Sequence, residues 1–419
     1  MRAWLLLVAW MGLFGQTPLT LAEAQRLALQ NHPGLEAARL GAAVAGEKVL
    51  QNEAARMPFA TANLTGAGAP AGDRVAAGGL NNPVIYSRLA MGVTVSQMVA
   101  DFGRTSQLVA GAKLATEAEK ARVRVTQADI LMNVQRAYFA TLRARAVVGI
   151  AESTVAARQL LVDQVTALVN AQLKSGLDLS FASTNLAEAR LLLATAMNEY
   201  QSAQAFLSES MGYGDARLFA LAEEPMPAAE TMARDALTAE ALRDRPELVA
   251  GRLDTDAGRR LVLAENALKY PSIAAVATAG VLPAHVRNLG SNYVAAGVNV
   301  SLPFLNGGLY KSRQREAELR VSQGERRVKQ LENAVARDVA MAMLDVTTAR
   351  ERIGLTEQLI AQAGKALELA QSRYELGLSS IVELSQSQLA KTGAEIQHAT
   401  ARYEYQLRRA VLDYRAGRY

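Results

Sequence analysis

A chain of 419 residues, half of them hydrophobic, has enough apolar surface for a large buried core. It contains no cysteine, which excludes disulfide staples, thiolate metal sites, a cysteine nucleophile and a lipid-modified N-terminal cysteine. The formal charge of +5 is small for this length and no basic run is interleaved with aromatics, so nucleic acid is not an expected partner.

Residues 1–15 read as a secretory signal peptide, with Met1-Arg2 followed by an apolar run from Ala3 to Phe14 that is too short to span a bilayer. No later stretch approaches the roughly 18 uninterrupted apolar residues of a membrane helix, so any membrane contact must be made by strands. A first repeat follows over 16–212, with a helix that carries Asn31-His32-Pro33 and then a strand pair over about 58–99. The second strand alternates Leu89, Met91, Val93 and Val95 with Ala90, Gly92, Thr94 and Ser96, as expected between lipid and a water-lined interior. Its partner, near 59–68, is more weakly patterned.

A long helical hairpin is expected over about 104–212. All eleven prolines fall in 18–83 and 225–303, and a chain free of proline elsewhere permits very long helices. Heptad stripes run through Leu186, Ala189, Leu193, Ala196, Tyr200, Ala203 and Leu207, through Ile353, Thr356, Ile360, Ala363, Leu367, Ala370 and Tyr374, and through Leu389, Gly393, Ile396, Thr400, Tyr403, Leu407, Ala410 and Tyr414. Small and polar seam residues fit either a solid antiparallel coiled coil or the wall of a hollow one. Residues 213–245 read as a linker, and 246–419 as a second repeat with a helix, a strand pair over about 271–303 and a hairpin over about 308–416. In its strands Val294, Ala296, Val298 and Val300 oppose Ala295, Gly297, Asn299 and Ser301. The 67 residues from 310 to 376 would extend about 100 Å as one helix, too long a rod for a compact globule. Each hairpin has one turn signal, in which Gly176 or Gly377 can take the left-handed conformation and Asp178 or Ser379 can cap the next helix.

The two repeats match in sequence at a shift of 213 around 31–40 and 56–58, of 205 around 92–96, Gly103 and Gly149, and of 201 around 175–177. Such duplication points to two similar faces and not to a single catalytic pocket. Four strands cannot close a pore, so several chains must contribute. Asp101-Phe102-Gly103 lacks the accompanying loops of a kinase and reads as a strand-to-helix turn. The three histidines, His32, His285 and His398, lack partners at ligand spacing, and Gly66-Ala67-Gly68 reads as a strand end. No enzyme, cofactor or metal site is expected.

Thr20-Leu21-Ala22-Glu23-Ala24 leading to Asn31-His32-Pro33, and Arg373-Tyr374-Glu375-Leu376-Gly377 leading to Ile381-Val382-Glu383-Leu384, resemble in order and duplication the TolC family of outer-membrane efflux and secretion channels. The resemblance covers essentially the whole chain after the signal peptide. It implies a mainly α fold with a small β part, in which a homotrimer forms a twelve-stranded transmembrane β-barrel continued by a periplasmic α-helical barrel. It also implies residence among outer-membrane lipid of a Gram-negative-type cell, as the passive exit of a tripartite efflux pump or type I secretion system. The implied partners are a periplasmic adaptor and an inner-membrane transporter. In the family an aperture lies near the hairpin tips, at acidic residues six and nine positions after the tip glycine. Here those positions are Glu383 and Gln386, and the first-copy match at the shift of 201 is Ala182; a solvated glutamate is the plain alternative for Glu383. Tyr374 is a candidate gate-bonding tyrosine, with seam packing as its alternative. The tips Ser175, Gly176, Leu177 and Asp178, and Leu376, Gly377, Leu378 and Ser379, are where an adaptor would dock. The segment 213–243, with the chain after Tyr414, would form a belt around the tunnel. A reading from another class is a non-conducting periplasmic coiled-coil adaptor or scaffold, but two hairpins each preceded by a strand pair favour the channel.

Overall fold

A computed structural model of the chain describes residues 18–68, 70, 86–228, 230, 232–285 and 290–419, and the signal-peptide reading of 1–15 lies outside them. Thr20 caps the first helix, α1 (Leu21–Asn31), by accepting the Glu23 N–H through its hydroxyl. Pro33 disfavours helical geometry at His32, which is extended, and then opens α2 (Pro33–Ala54) at a position where its missing donor is harmless. Strands β1 (Phe59–Ala67) and β2 (Arg88–Ala100) follow, then helices α3 (Arg104–Asn170) and α4 (Gly176–Ser210). The second series is α5 (Arg234–Asp244), α6 (Pro246–Asn266), β3 (Ser272–His285), β4 (Asn292–Ser301), α7 (Leu309–Glu375) and α8 (Ile381–Ala416). Helix α5 lies inside the stretch read as a linker and repeats α1 at the shift of 213, down to an extended Arg245 before Pro246.

Compact units cut across the two copies. One comprises the described residues of Met1–Glu36, Arg124–Arg245 and Asn333–Tyr419, and the other Ala37–Val123 and Pro246–Glu332.

The second unit holds the sheet, in antiparallel order β1-β2-β3-β4. Its register carries the alternation of β2 across all four strands. Val93 stands between Ala62 and Ala279, and Ala279 in turn faces Val294, so one face is apolar. Thr94 stands between Thr61 and Thr278, whose hydroxyls at 94 and 278 are 3.2 Å apart, so the other face is polar. Leu89, Met91, Val93, Val95, Val294 and Val298 are all exposed on the apolar side of a lone chain. On the polar face the Tyr293 ring lies across Gly280 and Gly92, where a side chain at either position would collide with it. Strands β1 and β4 are edges, each with one side unpaired in the described residues. The turn at 101–103 that follows β2 places Phe102 and Gly103 at positive φ, and the Asp101 carboxylate accepts the Gly103 and Thr105 N–H groups. That is the strand-to-helix turn expected from the sequence.

The first unit is helical. The heptad stripe of α4 is inward-facing, with Leu186, Ala189, Ala196 and Leu207 buried, and so is that of α7, with Thr356, Ala363, Ala370 and Tyr374 buried. The stripe read for α8 needs correction. Leu389 is exposed and Tyr403 is the one buried member of that stripe; the other buried residues run through Leu384, Gln388, Ala394, Ala401, Tyr405 and Leu412. The tilt follows from polar residues that find partners: the Gln406 amide donates to the Glu224 carbonyl at 2.9 Å, and the Tyr405 hydroxyl faces the Pro227 carbonyl at 3.4 Å. The connecting segment after α4 is pinned at several points. Leu19 forms an isolated parallel bridge with Leu221, and the buried Tyr138 hydroxyl donates at 2.9 and 2.8 Å to the carbonyls of Leu19 and Ala222. Gln204 both accepts the Phe219 N–H and donates to the Phe219 carbonyl. At the C-terminus Arg418 donates to both oxygens of Glu240 at 2.8 and 2.7 Å.

Candidate aperture and docking surface at the hairpin tips

Both hairpins turn by the same device. In the first, the Leu173 N–H reaches back to the Leu168 carbonyl and the Gln172 N–H to that of Val169; in the second, Leu378 reaches Arg373 and Gly377 reaches Tyr374. These paired bonds close each long helix with a left-handed residue, Gln172 at φ 61° and Gly377 at φ 72°. Gly377 behaves as the sequence suggested, but Gly176 does not: it is the first residue of α4, with ordinary helical geometry. The caps also differ from expectation. Ser175, not Asp178, caps α4, and Ser380, not Ser379, caps α8.

The correct shift through the tips is therefore 205, as in the strands, and not 201. This revises the aperture pairing, because the first-copy counterpart of Glu383 is Asp178 and not Ala182. Each occupies the third position of its helix and gives its backbone N–H to the capping serine, Ser175 or Ser380. Acidic residues are favoured there by the unpaired N–H groups and partial positive charge of a helix start. Asp178 completes a capping box by accepting from the Ser175 N–H and hydroxyl at 3.1 and 2.8 Å. Glu383 instead pairs with Arg373 at 3.5 Å, both side chains being about half exposed. Gln386 is exposed. Ala182 is buried in the cluster beneath the tips, with Leu161, Val165, Ala370, Tyr374, Ile381 and Leu384.

Tyr374 sits where these features meet. Its ring is buried, and the Lys174 ammonium stands 4.2 Å over its centroid. Its hydroxyl has no hydrogen-bond partner, and burial, with the nearby Asp178 charge, raises its pKa above the usual tyrosine value. Beside it a cleft of about 930 Å³ opens between the ends of α3 and α7, lined by Leu160, Leu168, Leu173, Leu376 and the amide of Gln388, whose carbonyl oxygen is also unpartnered. Leu173, Leu177, Leu376 and Leu378 are exposed around it. Sequence reasoning missed Lys174, Arg373 and the role of Gln172. The capping serines would have revealed the last of these, since Ser175 and Ser380 are separated by the same 205 residues as Gly103 and Gly308, a shift that sets Gln172 over Gly377.

A four-stranded sheet with one apolar face and two open edges, in a chain with two long helical hairpins, defines an architecture solved repeatedly among outer-membrane channels. A membrane protein from Pseudomonas aeruginosa superposes with a TM-score of 0.80 at 21% identity, over 95% of this chain and 93% of that one. The outer membrane protein VceC of Vibrio cholerae gives 0.78 at 20% identity, over 95% and 96%. Among sequences, BepC of Brucella suis biovar 1, an outer membrane efflux protein, is 23% identical over 94% of this chain and 84% of its own length. TolC of Salmonella enteritidis is 22% identical over 70% of this chain and 61% of its own, so the match spans about three fifths of that relative. The profile of the family described as outer membrane efflux protein matches residues 25–213 and 237–418, and the chain belongs to that family. It is an outer-membrane protein of the TolC type.

Proposed function

We propose that this protein is the outer-membrane exit channel of a tripartite efflux pump or type I secretion system, acting as a homotrimer that supplies a passive conduit. The observation that carries this is the sheet. An apolar face that no described residue covers and two unpaired edge strands are unfavourable in water, and both are resolved when three copies join edge to edge in lipid. Three four-stranded sheets give a barrel of about twelve strands, wide enough for a water-lined interior. The polar face, with Thr61, Thr94, Thr278 and Asn299, then lines the pore.

At the hairpin tips, the carboxylates Asp178 and Glu383, with Gln386 and Tyr374 nearby, ring the aperture. The tips from Ser175 to Asp178 and from Leu376 to Ser379, with the leucine-lined cleft between them, receive the helices of a periplasmic adaptor that couples to an inner-membrane transporter. The belt is formed by the segment after α4 and the chain end held by Arg418.

The experiment is to extract the mature protein from outer membranes in detergent, measure its mass, and record conductance in planar bilayers. A trimer that conducts is expected. A soluble periplasmic monomer or dimer would overturn the channel and restore the adaptor or scaffold reading.

A further inference from the structure

We propose that the four strand-to-helix junctions form a collar that binds anionic phospholipid headgroups at the helix-side edge of the bilayer. The proposal rests on the reading of the sheet as membrane-inserted. The junctions at 55–58, 101–106, 267–271 and 302–312 combine two features that are separated elsewhere in this unit.

Exposed rings and large apolar side chains come first. Phe304 is 95% and Leu305 88% exposed, and Met57, Phe59, Val99 and Phe102 are exposed as well. Phe102 and Tyr270 stack with centroids 5.7 Å apart, joining junctions from the two copies, and the Lys269 ammonium lies 5.7 Å from the Tyr270 centroid. Such a girdle sits where a barrel leaves hydrocarbon for water.

Charge is the second feature. Arg56, Arg104, Lys269 and Lys311 lie in these segments against one carboxylate, Asp101, a net of +3. Asp101 accepts the N–H groups of Gly103 and Thr105, and of the four cations Arg56 lies near enough for its charge to act on that carboxylate. Arg56 donates to the Ser106 hydroxyl, and the Arg104 Nε is buried without a partner. Among the described residues none of the four cations forms a salt bridge within 4 Å. The contrast with neighbouring cations is sharp. Lys113 pairs with Glu53, Arg313 with Glu265, Arg315 with Glu318 and Arg320 with Glu316. These four neighbours each hold a carboxylate within 4 Å, which none of the four cations beside the aromatic girdle does. Arg56 and Lys269 occupy the same place in the two copies, three residues before β1 and β3, so the arrangement repeats around the chain. Long cationic side chains can lay their stems on the girdle and present charge at headgroup depth. The complementary group at that depth is a phosphodiester with no cationic amine of its own, as in phosphatidylglycerol.

The test uses the detergent-purified full-length protein in mixed phosphatidylcholine and phosphatidylglycerol nanodiscs, with native mass spectrometry of the lipid retained on release. Enrichment of phosphatidylglycerol by about five-fold per engaged cation is expected, falling as salt rises. The variant Arg56→Gln/Arg104→Gln/Lys269→Gln/Lys311→Gln should retain lipid at the bulk ratio, while Arg56→Lys/Arg104→Lys/Lys269→Arg/Lys311→Arg should keep the enrichment. If the glutamine variant does not assemble, the wild-type salt series decides: enrichment unchanged by salt overturns the collar. Insertion without enrichment overturns it as well and leaves the channel standing. A protein that does not enter bilayers at all overturns the membrane reading itself.

Discussion

Gln172 is a residue in a position made for glycine. Its counterpart Gly377 ends α7 in the same left-handed conformation, φ 72° against 61°, with the same pair of backbone bonds behind it. A side chain there costs about 1 kcal/mol. Gln172→Gly should therefore stabilise the first tip by about 0.5–1 kcal/mol, read as slower hydrogen exchange at the amides of Gln172 and Leu173. Faster exchange would mean that the glutamine side chain contributes more than its backbone loses. A second residue-scale test concerns Glu240, whose carboxyl is held below the usual glutamate range by the hydrogen bonds from Arg418. Because the folded value is the lower one, its stabilising contribution is complete above the ordinary range and is lost as pH falls through the folded value. Asp413 acts in the opposite sense, since burial raises its pKa despite Arg409 and Arg418 beside it. Acid should weaken the Glu240–Arg418 attachment while protonation of Asp413 opposes that loss, and Glu240→Gln should show weaker attachment at neutral pH with the acid-induced weakening removed. An unchanged acid response would remove Glu240 from the clamp.

Elements explain what was legible in the sequence. The strand pairs and long helices were readable because period-two alternation and missing proline are local signals that survive any tertiary context. The tips were misregistered because Ser175-Gly176-Leu177 looks like Leu376-Gly377-Leu378, although its glycine does a different job. Which residue is left-handed depends on where the preceding helix runs out of bonds, and glutamine carries no mark of that. The stripe of α8 was displaced for a related reason. Gln388, Tyr405 and Gln406 are buried polar residues, and an apolar pattern cannot anticipate the carbonyls that accept from Gln406. The corrected register makes an element-scale prediction. Two carboxylates per chain, Asp178 and Glu383, stand at equivalent helix starts, so a trimer would present six and not three. A unit charge about 8 Å from a passing cation in water changes its energy by about 0.5 kcal/mol, about two-fold in occupancy. Asp178→Asn and Glu383→Gln should each lower cation preference in bilayers, and together lower it further; an effect of Glu383 alone would confine the ring to the second copy.

At the scale of the whole molecule, one sequence has been used twice for the helices and unequally for the strands. From β2 and β4 onward the copies keep one shift, giving α3 and α7 the same 67 residues, whereas the shift before them is larger by eight. The difference falls in the sequence between the paired strands. The open edges of the sheet also divide the molecule by what dilution does to it. The helical unit buries the cluster beneath its tips within one chain, so those contacts do not depend on how many copies are present. Strands β1 and β4 find their missing partners only on other copies, and their pairing is subject to mass action. Lowering protein concentration is then equivalent to a selective denaturant, which undoes strand pairing between copies and spares the contacts buried within each chain.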